Sequence, residues 1–143
     1  MTEKDAIRHA ESDEDIARCA PVMLTLRPDL ELTGFVARVR RMMGEGYRLS
    51  FVERDGEVAA VAGWRVQEML SRGRFVYVDD LVTAPAARSQ GHGGRLLEWL
   101  ADEARRLGCA RLHLDSGVQR IDAHRFYFAH RMHIACYHFA RGL

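Results

Sequence analysis

Apolar residues fall into short blocks along the chain, and each change in their period marks a new element. Ala6-Ile7-Arg8-His9-Ala10 reads as a short first strand. Ser12 precedes an acidic turn, Asp13-Glu14-Asp15, and Ile16, Cys19, Val22 and Met23 then recur at helical spacing. That combination predicts an N-capped helix, which Pro28 ends. Thr33 is placed to cap a second helix with Phe35, Val36, Val39, Met42 and Met43 on its apolar side, closed by Gly44 and Gly46.

Tyr47 to Glu53 changes to strand character, and Asp55-Gly56 is a hairpin signal before a partner strand, Val58 to Val66, with Gly63 inside it. Ser71-Arg72-Gly73 turns the chain into a third, largely apolar strand, Phe75 to Thr83. A loop from Pro85 to Gly91 leads into a helix from His92 to Leu107, whose Leu96, Leu97, Leu100, Ala104 and Leu107 form one stripe that Gly108 stops. Arg111 to Asp115 alternates as a strand, Ile121 to Ala129 is helical, and Ile134 to Phe139 reads as a closing strand. The expected order is β-α-α-β-β-β-α-β-α-β. Hairpins first and a strand–helix–strand unit after them predict an α+β (mixed α/β) fold, with helices packed on the faces of one sheet.

Composition narrows the function classes. The chain has 143 residues, the size of one domain spanning 1–143, with 48% hydrophobic and 29% charged residues. Its formal net charge of +1 gives no polyelectrolyte signal for nucleic acid or an anionic membrane. No apolar run is long enough for a membrane span, and Met1-Thr2-Glu3-Lys4-Asp5 does not begin a signal peptide. Cys19, Cys109 and Cys136 are scattered, with neither metal spacing nor a disulfide framework, so a cytoplasmic setting is expected. His130-x-x-His133 would share a helix face only if the helix ran through Met132, and the strand pattern that follows argues against it; no metal is expected.

The chemistry concentrates in Arg88-Ser89-Gln90-Gly91-His92-Gly93-Gly94. A helix start offers amides without intrahelical partners and a partial positive charge. Gly91, Gly93 and Gly94 clear side chains from that point, and Arg88 adds a forked cation, so a phosphate can reach the backbone. Gly93-Gly94-Arg95 lacks the Lys-Ser/Thr of a P-loop, and Leu96 stands where a dinucleotide fingerprint needs its third glycine. Asp115 keeps a dinucleotide-binding oxidoreductase as an alternative.

Arg88-Ser89-Gln90-Gly91-His92-Gly93 resembles the Arg/Gln-x-x-Gly-x-Gly/Ala signature of the GNAT N-acetyltransferases. Val78 to Pro85 is similar to the strand before it, Leu112 to Gly117 to the strand after it, and Ala123-His124-Arg125-Phe126-Tyr127 to the helix carrying the family's tyrosine. The resemblance implies a mostly antiparallel sheet splayed at its middle, acetyl-CoA (coenzyme A) as cofactor, and direct transfer to the amine of a small molecule or peptide. Carried over, it implies that Leu81, Val82 and Thr83 bond the pantetheine arm through the main chain, with the Val82 N–H as oxyanion donor. Arg88, Ser89, Gln90, Gly91, His92, Gly93 and Gly94 would hold the diphosphate, and Tyr127 would contact the cofactor and protonate the departing thiolate.

The sequence departs from the family pattern at Arg120, Asp122 and Arg131, which leaves a non-catalytic CoA-binding module as a second alternative. For the base, Asp79 is favoured over Asp80, because strand alternation sends the two to opposite faces unless a bulge intervenes. Leu26 to Glu45, with Arg27, Asp29, Glu31, Arg38, Arg40 and Arg41, is expected to line the acceptor side, and its charges are compatible with an anionic or zwitterionic acceptor as well as with a solvated face. The closing strand offers an edge for a homodimer.

Overall fold

A computed structural model describes residues 5–143; Met1 to Lys4, with most of the N-terminal run read above for a leader, lie outside it. The elements are β1 (Asp5–His9), α1 (Asp13–Leu26), α2 (Phe35–Met43), β2 (Arg48–Arg54), β3 (Glu57–Met69), β4 (Gly73–Thr83), a 3-10 turn (Pro85–Ala87), α3 (His92–Arg106), β5 (Arg111–Leu114) and α4 (Ile121–Ala129). The five strands form one open sheet in sequence order, and β1 to β4 are antiparallel neighbours. No helix among the described residues is long and apolar enough to cross a membrane.

The chain divides into two compact units, one up to His113 and one from Leu114 on. In the first, alternation along the strands sends side chains to two faces. Leu49, Phe51 and Val61 join Ile16, Cys19 and Met23 of α1 and Phe35 and Val39 of α2 in one buried cluster. Ser50 and Trp64 face the other way, toward α3. There the Trp64 and Trp99 rings meet edge-on at 6.3 Å, and Trp64 Nε1 donates to the buried Ser50 Oγ at 3.0 Å. Helices therefore cover both faces of the sheet. Burial raises the Cys19 thiol to about 12, so it packs as a small apolar group.

Ser12 caps α1 as expected, its Oγ accepting from the Asp15 N–H at 3.1 Å. The second cap differs. Gly34, not Thr33, occupies the N-cap of α2 at φ +83, and no side chain bonds there. The turn into that helix needs left-handed backbone, which glycine adopts without strain.

Strand β4 carries one residue more than β3 opposes. Gly63 faces Asp80 and Trp64 faces Val78, which leaves Asp79 as the bulged residue. Gly63 is required there by space: a Cβ would lie 1.8 Å from the Tyr47 hydroxyl and 2.8 Å from Asp80 Oδ2.

The second unit holds α4, with the His124 ring 2.8 Å from the Gly117 carbonyl and His138 paired to Asp115 at 2.9 Å. The closing strand expected at Ile134 to Phe139 does not form. Ile134, Tyr137 and Phe139 are 72%, 84% and 92% exposed, so their alternation has no face to bury and no strand beside it to bond.

Two expectations follow. Gly63→Ala should destabilise the fold by about 1–3 kcal/mol in urea unfolding, as overpacking against the buried Tyr47 side chain does; unchanged stability would contradict the contact at Tyr47. The second concerns acid. A hydrogen bond from Arg8 holds the Asp15 carboxyl below its ordinary 3.8, and one from Arg18 holds Glu53 below 4.5. Folded values depressed in this way stabilise above 4.5 and lose that contribution as pH falls through 3.8 and below. Wild-type melting temperature should fall more steeply from about pH 5 to about pH 3 than that of the Asp15→Asn, Glu53→Gln double variant; parallel curves would contradict it.

Candidate functional site

The first component is the start of α3. Gly91 is its N-cap at φ +82, in left-handed backbone, and no side chain caps the first amides. Ser89 is left-handed too, at φ +64, so the chain coils tightly just before the helix. Successive turned amides of this kind make an anion-binding concavity. Arg88 is extended and exposed beside them. The amides of His92, Gly93 and Gly94, the first three of the helix, have no intrahelical acceptor. This donor set fits a diphosphate.

Side chains lock that loop from beneath. The buried His92 ring lies between the Gln90 amide at 3.3 Å and the Arg95 guanidinium, which also donates to the Gln90 carbonyl. Arg54, from the β2–β3 turn, donates to Gln90 Oε1 at 3.1 Å. His92 thus faces inward and offers a ligand its amide alone. Arg54 was not foreseen, because nothing in the sequence shows that the first hairpin turn reaches the loop.

The end of β4 is the second component. Ala84 N–H donates to the Ala59 carbonyl, so that pair is of the bonded kind. Bonded and non-bonded pairs alternate along an antiparallel ladder. Val82 opposite Val61 is therefore bonded to β3, while the main-chain groups of Leu81 and Thr83 turn to the other edge. Neighbouring β5 has four residues against eleven in β4, so it covers only part of that edge. The side chain of Val82 packs against the α1–α2 core.

The third component is a cleft of about 660 Å³ between α1, α2 and β4. Met23, Leu26, Phe35 and Met42 give it an apolar wall, and Asp79 and Asp80 lie together across from them. The bulge brings about this pairing, which unbroken alternation forbids. The two acids differ in their partners. Asp79 takes a two-point ion pair from Arg65, at 3.0 and 2.6 Å, with both side chains about one-fifth exposed. Asp80 accepts from the Tyr47 hydroxyl at 3.1 Å and from Arg27 Nε at 2.9 Å, while Arg27 Nη2 donates to the Asp79 carbonyl at 3.0 Å. Burial, and then the Asp80 charge, push the Tyr47 phenol far above its usual range, so it stays a donor. Arg38 also lines the cleft, and its side chain has no hydrogen bond or ion pair among the described residues.

Tyr127 lies on α4 in the second unit, half-buried, its ring edge-on to Phe126 at 5.5 Å. Burial raises its phenol above the ordinary value, against an opposing effect of Arg120, and keeps it protonated. Among the described residues no group of three His, Cys, Asp or Glu could hold a metal ion.

Tyr47, Arg65 and Gly63 complete the site, and none of them was singled out for chemistry from the sequence; Arg27 was expected on the acceptor side and does line the cleft, though its bond to Asp80 was not foreseen. Gly63 was the available signal: a glycine inside an apolar strand marks a bulge or a close approach, and here it marks both.

Comparison with known proteins bears on this arrangement. The sequence profile of the Acetyltransferase (GNAT) family matches residues 10–132. The uncharacterized N-acetyltransferase YhdJ of Bacillus subtilis is 34% identical over 117 residues, 81% of this chain and 82% of that protein. The aminoalkylphosphonate N-acetyltransferase of Salmonella typhimurium is 29% identical over 142 residues, covering 96% of this chain and 90% of its own. Among solved structures, an aminoglycoside N-acetyltransferase in complex with CoA superimposes with a TM-score of 0.83 at 13% identity, over 96% of this chain and 94% of that one, a likeness of fold. The family match displaces the dinucleotide alternative, and matches of this extent fix what the chain is: it belongs to the GNAT acetyltransferase family and is an acetyl-CoA-dependent N-acetyltransferase.

Proposed function

We propose that the chain works as one domain, moving an acetyl or other small acyl group from acyl-CoA to the amine of a small molecule by direct attack while both are bound. The observation that carries this reading is the bulge at Asp79. It gathers two carboxylates in one cleft, next to a strand end whose Leu81 and Thr83 main-chain groups turn away from β3 and which leads into the amide-lined loop.

Bound acyl-CoA supplies the activated thioester. In this reading the amides of His92, Gly93 and Gly94 with Arg88 grip its diphosphate. Leu81 and Thr83 bond the pantetheine arm. The oxyanion donor moves from Val82, the sequence-based choice, to Leu81, because the ladder already engages the Val82 N–H. Asp80 takes the place of Asp79 as the group that receives the ammonium and its proton. Asp79 is held at both oxygens by Arg65, whereas the half-exposed Arg27 on Asp80 can move aside. Tyr127, protonated, serves as the acid for the thiolate.

Acetyl-CoA should raise the melting temperature, and thiol release should require an added amine; aminoalkylphosphonates, the named acceptors of the Salmonella relative, belong in the amine panel. CoA binding with no amine-dependent release from a broad panel would instead identify a CoA-binding module. Arg88→Gln should weaken CoA binding roughly tenfold by calorimetry, the scale of one charged hydrogen bond, with melting temperature unchanged. Undiminished affinity would remove Arg88 from the phosphate site. Asp80→Asn and Tyr127→Phe should each lower kcat on the order of 10²-fold with CoA affinity retained. A kcat near wild type in either variant removes that residue from the chemistry.

A further inference from the structure

The cleft's charges carry information about the acceptor. Five acidic or basic side chains line it: Arg27 and Arg38 on one side of the balance, and Asp29, Asp79 and Asp80 on the other. Arg65 neutralises Asp79 and Arg27 neutralises Asp80. The Arg27 guanidinium sits where an acceptor ammonium belongs: Nε is on Asp80 Oδ1, and Nη2 is on the Asp79 carbonyl, an oxygen that the bulge presents to the cleft. An incoming amine therefore competes with a resident cation for the same oxygens.

The contest is uneven for a simple amine. An alkylammonium that displaces Arg27 leaves two arginines, Arg27 and Arg38, on the cleft wall with Asp29 as the one carboxylate outside the β4 pairs. Neither the Arg38 nor the Asp29 side chain has a hydrogen bond or ion pair among the described residues. An amine that carries its own anion resolves both problems, since its ammonium replaces the guanidinium at Asp80 while its anion receives the freed Arg27 and the waiting Arg38. Arginine suits that task, because its planar fork grips carboxylate or phosphate oxygens in pairs. Met23, Leu26, Phe35 and Met42 supply an apolar wall for a short alkyl spacer between the two charges. A volume of about 660 Å³ suits a small molecule.

Building on the proposed acyl transfer at Asp80, we infer that the acceptor is a small amine with an anionic group at the far end of a short alkyl chain, selected by ion-pair exchange at Arg27 and Arg38. Arg27 acts as the gate: it holds Asp80 in the free protein and turns to the acceptor's anion in the complex. Arg38 is a binding residue for the anion alone.

Matched amines test this: 3-aminopropionate against 3-aminopropanamide, and 2-aminoethyl phosphate against ethanolamine. Binding is measured by calorimetry in the presence of CoA, and turnover by thiol release from acetyl-CoA. Wild type should favour the anionic member of each pair at least tenfold. Arg38→Met should erase the preference through KM, with kcat kept. Arg27→Met should erase it as well and bind the neutral amines more tightly than wild type does, since the gate is gone. Both arginines are exposed, so the variants should melt with wild type; a variant that does not is replaced by the Gln substitution at the same position. Equal or better binding of the neutral amines, or binding of neither member, overturns the inference. Turnover without preference overturns it while leaving acyl transfer intact. Preferential binding with no thiol release supports the acceptor site and removes the transfer reading instead.

Discussion

One extra residue in β4 sets the phase of everything downstream of it. Before Asp79 the ladder pairs Val78 with Trp64; after it, Asp80 pairs with Gly63. The slip has two effects that arise together. It turns Asp79 and Asp80 into the same cleft, and it turns the main-chain groups of Leu81 and Thr83 away from β3. With no bulge, Leu81 would stand opposite Val61 and spend its amide in the sheet. The acid pair and the turn of the Leu81 and Thr83 amides away from β3 are thus two consequences of one irregularity, and Gly63 is the residue that permits it by leaving room for Tyr47 and Asp80.

The surrounding structure holds that irregularity by charge as well as by space. Arg65 secures Asp79, while Arg27 and Tyr47 secure Asp80, so neither carboxylate is left uncompensated beside an apolar wall. The arrangement is stiff on one side and loose on the other. Arg65 grips with two bonds at close to one-fifth exposure, whereas the Arg27 side chain is 50% exposed. The proposed exchange of a resident cation for a substrate cation would use that asymmetry. The loop before α3 is stiffer, with Gln90, His92 and Arg95 bonded to one another.

Local signals were legible in the sequence, and long-range ones were not. Ser12 before three acids announced α1, the Leu96-Leu100-Ala104 stripe announced α3, and the glycines at 91, 93 and 94 announced its start, with no side chain on the cap. Each rests on neighbours within a turn or two. The Thr33 cap failed because a hydroxyl in position says nothing of the backbone turn, which required Gly34. The closing strand at 134–139 failed because alternation states a propensity and names no partner. Tyr47 and Arg65 went unread as site residues, and Arg27 was read as an acceptor-side charge without its partner, since each meets β4 through a contact that no period along the chain reveals. The choice between Val82 and Leu81 turned on hydrogen-bond phase, which one residue of slip inverts.

The most direct measurement is a crystal structure with a non-reactive acetyl-CoA analogue bound. On this account the acyl carbonyl oxygen lies about 3 Å from the Leu81 nitrogen, the bond length of an oxyanion donor, and the diphosphate meets the amides at the start of α3. A carbonyl bonded elsewhere, with the Leu81 amide turned into the sheet or the diphosphate away from Gly93 and Gly94, would contradict it.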